Sequence, residues 1–348
     1  MTTIEQRNRT FLRDLFSGPF PGHGIIMCPE APPSPLGDFT LSPRPVRDWV
    51  PWAVERYRNQ LRSLEHFQDD SVPYVNLNTN TGIFAAAFGC QLHVYAEETN
   101  ACALPCVETA AEADRLPEPS LNAPTLARIF ELARLVRREL GPEVPISVPD
   151  IQSPFDIAAL IWRKEKLLLA MCDAPEAVHR LVDKCTRLLE RFLTEFRREM
   201  GEVNFCHCPV AWAPPELGCW LSEDEAGTMS VDMFDEFCIP PLADLSRRFG
   251  GLFMHCCATA DHQYGEFLKI PNLRGLNRLF QAPGPAPAIE AFAGHAVLIE
   301  AWYPLALYSE MLAMAKADSR FLFNLGPVPP AEADAAYLKL RALCGRAS

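Results

Sequence analysis

The chain has 348 residues, 49% hydrophobic and 22% charged, with a formal net charge of −12. That is the composition of a globular protein, and the acidic balance, with no basic run, argues against a nucleic-acid or general phosphate-binding surface. No apolar run reaches the ~18 residues of a membrane span, and the N-terminal MTTIEQRNRTFLRDLF has no apolar segment of the secretory type, so a cytoplasmic protein without membrane contact is expected. Thirteen cysteines, an odd number without a CxxC pair, fit reduced core residues better than a disulfide framework.

In chain order, short apolar runs alternate with segments of helical period. GHGIIMC (22–28) and VPYVNLN (72–78) supply the first strand candidates. PTLARIFELARLVRREL (124–140) is amphipathic with Pro124 near its start, and EVPISVPD (143–150) is a short β-branched run. PFDIAALIWRKEKLLLAMC (154–172) reads as a helix with a break. APEAVHRLVDKCTRLLERFLTEFRREM (174–200) is the longest helix and stops at Gly201. EVNFCHCPVAW (202–212) is strand-like, GCWLSED (218–224) fits a strand or a loop, and SVDMFDEFCIPPLADLSRRFG (230–250) is helical around two prolines. LFMHC (252–256), NLRGLNRLF (272–280), AVLIEAW (296–302) and RFLFNLG (320–326) follow as strands, with helical patterns between several of them and at 329–344. Such alternation predicts βα units and a parallel sheet. About eight strands predict a (β/α)8 TIM barrel over residues 61–345, with residues 1–60 as an irregular N-terminal extension packed on it. No GxGxxG or GxxxxGK[ST] follows a strand, so nucleotide readings lose support.

Functional residues of such a barrel belong at the C-terminal ends of its strands. The candidates there are Asn78, Asn80, Asp150, Cys208, Glu223, Asp224, His255, Cys257, Glu300 and Asn324. The segment GGLFMHCCATADH (250–262) carries the sharpest signal. Strand alternation puts Phe253, His255 and Cys257 on one face and Leu252, Met254 and Cys256 on the other. The second set is wholly apolar, as for a face covered by helices. The first ends in an imidazole and a thiol, two zinc-ligand types, although a buried core strand would look similar. For Glu223 and Asp224 the alternatives are a substrate contact and a helix start at Ser222 with Glu225 closing a capping box. CHC (206–208) reads as strand packing, Asp156 as a helix cap, and Trp212 and Trp220 as pocket lining or core.

Three stretches together resemble the uroporphyrinogen decarboxylase superfamily. They are PFDIAALIWRKEKLLLAMCDAPEAVHRLVDKCTRLLERF (154–192), LSEDEAGTMSVDMFDEFCIPPLADLSRRFGGLFMHCC (221–257) and DDSVPYVNLNTNTGIFAAAFGC (69–90). The resemblance covers roughly residues 60 to 340 and implies a (β/α)8 barrel. One branch of the superfamily decarboxylates uroporphyrinogen without a cofactor; the other comprises zinc methyltransferases that move a methyl group between a corrinoid and a thiol such as coenzyme M. The Arg-Gln-Ala-Gly-Arg loop of the decarboxylases is not matched. Arg44 and Arg47 are present in its region, and Asn76, Asn78 and Asn80 stand where an early-strand Asp belongs. His255 and Cys257 match the His-x-Cys ligand pair of the methyltransferases. The later Cys is missing from RFLFNLGPVPP (320–330), which leaves Glu300 as the expected third ligand and Cys206 or Cys208 as the alternative. The resemblance thus implies Zn²⁺ on His255, Cys257 and Glu300, catalytic roles for Glu223, Asp224, Asn78 and Asn324, and a corrinoid as methyl donor or acceptor. A small-molecule substrate, a corrinoid protein and a second copy of the chain in a homodimer are the implied partners. The competing functions are a metal-free decarboxylase of a porphyrinogen or related polycarboxylate, and a non-catalytic ligand-binding barrel.

Overall fold

A computed structural model describes residues 3–28, 36–77, 79–94 and 101–345. Ten strands occur among them: β1 Gly24–Met27, β2 Gln91–His93, β3 Cys102–Leu104, β4 Ile146–Ser147, β5 Val203–Asn204, β6 Cys219–Ser222, β7 Leu252–Cys256, β8 Leu273–Arg278, β9 Val297–Ala301 and β10 Phe321–Leu325. Six form one parallel sheet in the order β1-β10-β9-β8-β7-β6. Beyond β6 a parallel bridge joins Ser222 to Gln152, β4 pairs with β5, and Val75 bridges to Ile146. This is a TIM-barrel-like arrangement with helices outside. At the free edge of β1 two carboxylates replace a neighbouring strand. Asp70 Oδ2 accepts from Ile25 N at 2.9 Å and Asp69 Oδ2 from Met27 N at 2.5 Å, while Asp70 N donates to Ile25 O at 2.9 Å. Buried backbone amides need such partners.

The strands of the main sheet are short apolar runs because helices cover one face and the barrel interior the other; β7, β9 and β10 are buried at every position. Gly275 in β8 is required by packing, since a Cβ there would lie 2.7 Å from Ile299 Cδ1 and 2.8 Å from the Phe253 ring. The helix Pro175–Met200 buries one continuous stripe from Ala177 to Met200 and ends at Gly201, whose φ of +70° suits a residue without a side chain. The break expected within 154–172 is real: Pro154–Ile161 and Lys164–Asp173 are separate helices, and Trp162 between them bridges to Val107.

The first 60 residues differ from expectation. Their described part includes a helix, a strand and the start of a second helix, and β1 pairs with β10 in the central sheet, so the segment is not a separate extension. Helix α1 (Thr3–Ser17) lies across the N-terminal ends of the strands. Arg9 and Arg13 pair there with Glu202 and Glu216, just ahead of β5 and β6, and Phe16 meets the Phe253 ring edge-on at 4.9 Å. Helix α2 (Val50–Phe67), opened by Pro51, flanks β1. Residue 60 therefore falls inside α2 rather than at a boundary. The β2–β3 hairpin was not evident from the sequence pattern. Among the described residues no helix is long and apolar enough to cross a membrane.

Candidate metal centre at the C-terminal ends of β6 to β8

Parallel register decides which side chains meet. His255 on β7 lies opposite Ser222 on β6 and Asn277 on β8. One step deeper on the same face of β7, the Phe253 ring stacks on Trp220 at 5.3 Å. Trp220 is therefore interior core. The Glu223 amide donates to His255 O at 2.8 Å, extending the β6–β7 ladder past β6. The chain then turns, and Asp156 fixes the turn by accepting from the amides of Asp224 at 2.7 Å and Glu225 at 3.0 Å. Asp156 is itself placed by Ser153, the cap of helix Pro154–Ile161, whose Oγ accepts from Asp156 N at 3.0 Å. A capping box with Glu225 does not form at Ser222; a short turn of 3-10 helix, Glu225–Thr228, follows instead. Held this way, the Asp224 Oδ1 accepts from the Cys257 amide at 2.7 Å.

The outcome is a cluster. One ligand atom each from Asp224, His255 and Cys257 lie within 4.8 Å of one another. Nitrogen, thiolate sulfur and carboxylate oxygen at ~2.0–2.3 Å from a central ion is the donor set of zinc. Burial, then the neighbouring Asp224 carboxylate, pushes the Cys257 thiol up to about 12. A cation between them would reverse that effect, because it stabilises both anions. Cys257 is exposed, so the outward side of the cluster is open.

Asn277 orients the imidazole. Its Nδ2 donates to Ile299 O at 2.5 Å, which turns its Oδ1 toward His255 Nδ1 at 2.6 Å. An acceptor at that position puts the proton on Nδ1 and leaves Nε2 with a free lone pair. Trp302, at the end of β9, stands edge-on to His255 with ring centroids 6.1 Å apart. It is 48% exposed, and its φ of +67° is a backbone conformation that a bulky side chain rarely adopts. Neither residue stood out in the sequence. Asn277 could have been found from the β7–β8 register alone, whereas nothing in AVLIEAW signals the backbone of Trp302.

A second layer lies beside the cluster. Asp150 Oδ1 is 3.3 Å from His207 Nδ1 and accepts from Gln152 Nε2 at 3.1 Å. Burial, with the Asp224 charge adding to it, pushes the Asp150 carboxyl up to about 7. Burial and then the nearby His255 push His207 down to about 3, so its imidazole is neutral. Cys208 Sγ lies 4.0 Å from His255 Nδ1, while Cys206 Sγ turns away to Pro209 O at 3.1 Å. Glu223 is fully buried beside Asp156. Burial, with the Asp224 and Glu225 charges adding to it, pushes Glu223 up to about 7 against the lowering effect of Asp156, while burial and the Glu223 charge push Asp156 well above the usual carboxylate range, so the pair keeps at least one proton.

The other expected site residues fall outside the cluster. Asp224 joins it as a ligand-type carboxylate, in the place expected of Glu300. Glu300 sits on β9, two strands from β7, with Asn277 on the intervening β8, and is not among the residues whose ligand atoms lie within 4.8 Å of one another. Its carboxylate is fully buried with no hydrogen-bond partner among the described residues, and burial raises its pKa well above the usual value despite the Arg278 charge. Asn324 is buried and positions the loop after β5 by donating from Nδ2 to Val210 O; its own carbonyl accepts from Tyr308 Oη at 2.8 Å. Asn78 lies outside the described residues. Arg44 and Arg47 are exposed on the surface.

The family model for uroporphyrinogen decarboxylase (URO-D) matches residues 74–276, more than half of the chain. That span includes Asp150, His207, Asp224, His255 and Cys257. Among solved structures, a methyltransferase from Methanosarcina mazei superposes with a TM-score of 0.65 over 96% of this chain and 98% of that one. At 14% identity the likeness is one of fold. Among curated proteins no sequence matches.

Proposed function

The chain belongs to the uroporphyrinogen decarboxylase family, and from that premise we propose that it is a zinc-dependent methyltransferase of the family, moving a methyl group between a corrinoid and a small thiol. The observation that carries this reading is the Asp224, His255 and Cys257 cluster at the mouth of the barrel. The methyltransferase with the same fold supports it. So does the chemistry that remains once the decarboxylase features are removed. No Arg-rich loop is present to neutralise a polycarboxylate, and Arg44 and Arg47 face solvent.

His255 Nε2, Cys257 Sγ and an Asp224 oxygen would hold the ion. Zinc bound by three protein ligands lowers the pKa of a thiol taken up at its fourth position. The remaining steps fall to the chain. Asn277 keeps His255 Nδ1 protonated and its ring fixed. Asp156 keeps Asp224 in place through the backbone. Asp150, with its carboxyl near neutrality, can receive the proton that leaves the thiol. Trp302 walls the site beside His255 and limits its exposure to water. The thiolate sulfur then bonds the methyl carbon, the carrier–methyl bond breaks, and its electron pair stays with the carrier.

The test is elemental analysis of protein purified without chelator, together with demethylation of methylcobalamin by a thiol such as coenzyme M. One zinc per chain and thiol-dependent turnover, both lost in Cys257→Ser, are expected. Metal-free protein, or efficient conversion of uroporphyrinogen to coproporphyrinogen, would move the chain to the decarboxylase branch.

A further inference from the structure

Beside the barrel mouth a cavity of about 500 Å³ lies between the end of β1, helix α2, residues 71–76 and the 210–212 loop. Its volume is that of a small-molecule site. Met27, Val72, Tyr74 and Trp212 give it an apolar wall, and its charged lining is Arg56, Arg62 and His66. Among the described residues no Asp or Glu lines it, in a chain whose net charge is −12. Two of the three basic groups are met by acids elsewhere: Arg62 bonds Glu55 at 2.6 Å and His66 bonds Asp334 at 2.7 Å. Arg56 differs. Its guanidinium lies 4.8 Å from the Trp52 ring centroid, and among the described residues it has no hydrogen bond or ion pair.

The groups that act on the Arg56 charge are the Tyr74 hydroxyl and the Cys28 thiol. Burial keeps both neutral, raising Tyr74 well above its usual range and Cys28 to about 11. Burial also lowers the pKa of Arg56 itself. A largely desolvated guanidinium without a counter-anion is unfavourable, and truncating its side chain would remove that cost. An anion docking on it regains a charge-assisted, bidentate pair.

We propose that this cavity binds an organic anion, a carboxylate, sulfonate or phosphate on an aromatic or branched apolar body, with the acid group on Arg56 and the body against Met27, Val72, Tyr74 and Trp212. The site is separate from the metal cluster and does not depend on the methyltransferase reading. The loop that brings Cys208 to His255 also supplies Val210–Trp212 to the cavity wall, so an occupied cavity borders the chemistry.

The probe is anilinonaphthalene sulfonate, an anion on an aromatic body, with neutral phenylnaphthylamine as its uncharged counterpart. Both are titrated by fluorescence against the full chain after chelator treatment, so that loss of metal chemistry leaves the result untouched. One sulfonate site per chain is expected. Arg56→Gln should raise the Kd of the sulfonate at least tenfold and leave that of the neutral probe within twofold. Arg56→Lys should recover most of the difference, and Ser63→Phe, which fills the cavity from α2, should weaken both probes. Unsaturable sulfonate binding, equal sulfonate affinity in Arg56→Gln, parallel loss of both probes in that variant, or no effect of Ser63→Phe would each overturn the assignment.

Discussion

Asn277→Ala separates orientation of a ligand from ligation. The side chain is fully buried and makes two hydrogen bonds, accepting from His255 Nδ1 at 2.6 Å and donating to Ile299 O at 2.5 Å. Truncation leaves a buried donor and a buried acceptor unpaired, at ~1–3 kcal/mol each. At ~2.1 cal/mol/K per residue a 348-residue chain loses about 1.4 °C of Tm per kcal/mol, so the metal-free variant should melt roughly 3 to 8 °C below wild type. The effect on metal is distinct. Without an acceptor on Nδ1 the imidazole loses its fixed tautomer and ring angle, and loss of such a partner weakens metal affinity ~10–100-fold, or roughly 1.4–2.8 kcal/mol. Asn277→Asp keeps an acceptor on His255 but sets a carboxylate against Ile299 O. It should lose stability while holding zinc about as well as wild type. Zinc affinity is read by competition with a chromophoric chelator near neutral pH, and stability by thermal denaturation with excess chelator. An Asn277→Ala protein that melts as expected yet binds zinc within twofold of wild type would refute the orientation argument.

Other variants probe neighbouring links. Cys257→Ser should lose zinc by elemental analysis while Cys256→Ser keeps it, because only Cys257 belongs to the cluster and an alkoxide is far less available than a thiolate; equal loss in both would return the segment to a sulfur-rich core strand. The buried Glu223–Asp156 pair binds a proton in the folded state that the unfolded chain gives up near pH 4 to 4.5. Its contribution is therefore fully present below that range and lost as pH rises through about 7. Melting temperature measured from pH 5 to 9 should fall across that window, and Glu223→Gln should flatten the fall; an unchanged slope would count against a shared proton. Asp69→Ala strips the acceptor from the Met27 amide at the free edge of β1, and urea unfolding should register a loss of ~1–3 kcal/mol or more. Trp302→Gly relieves a left-handed backbone worth ~1–2 kcal/mol, so the variant should hold its melting temperature while methyl transfer slows; a large stability loss would show that the ring is structural.

Alternation of short apolar runs with helical periods was enough to read a parallel barrel, because the two periodicities are local and each strand is buried on both faces. The same alternation put His255 on the barrel-facing side of β7 and, with Cys257 just past the strand, picked out two of the three residues that cluster at its end. Gly201 likewise announces its helix end through local backbone chemistry, whereas the cap expected of Asp156 falls to Ser153. The third member of the cluster was not legible. Asp224 and Glu300 are both acids at strand ends, and the choice between them rests on which strand neighbours β7 and on the Asp156 carboxylate that pins the 223–225 turn from another helix. Asn277 matters only through its register with His255, and Arg56 only because its neighbours Tyr74 and Cys28 are held neutral by burial. The boundary at residue 60 failed for the same reason: GHGIIMC reads as a strand, but only pairing with β10, some 300 residues away, makes it part of the barrel sheet. Periodicity, caps and spacing are properties of neighbours along the chain. Sheet order, burial and the meeting of charges arise only when distant segments pack, and these brought Asp224 to His255 and Cys257 and placed their supports.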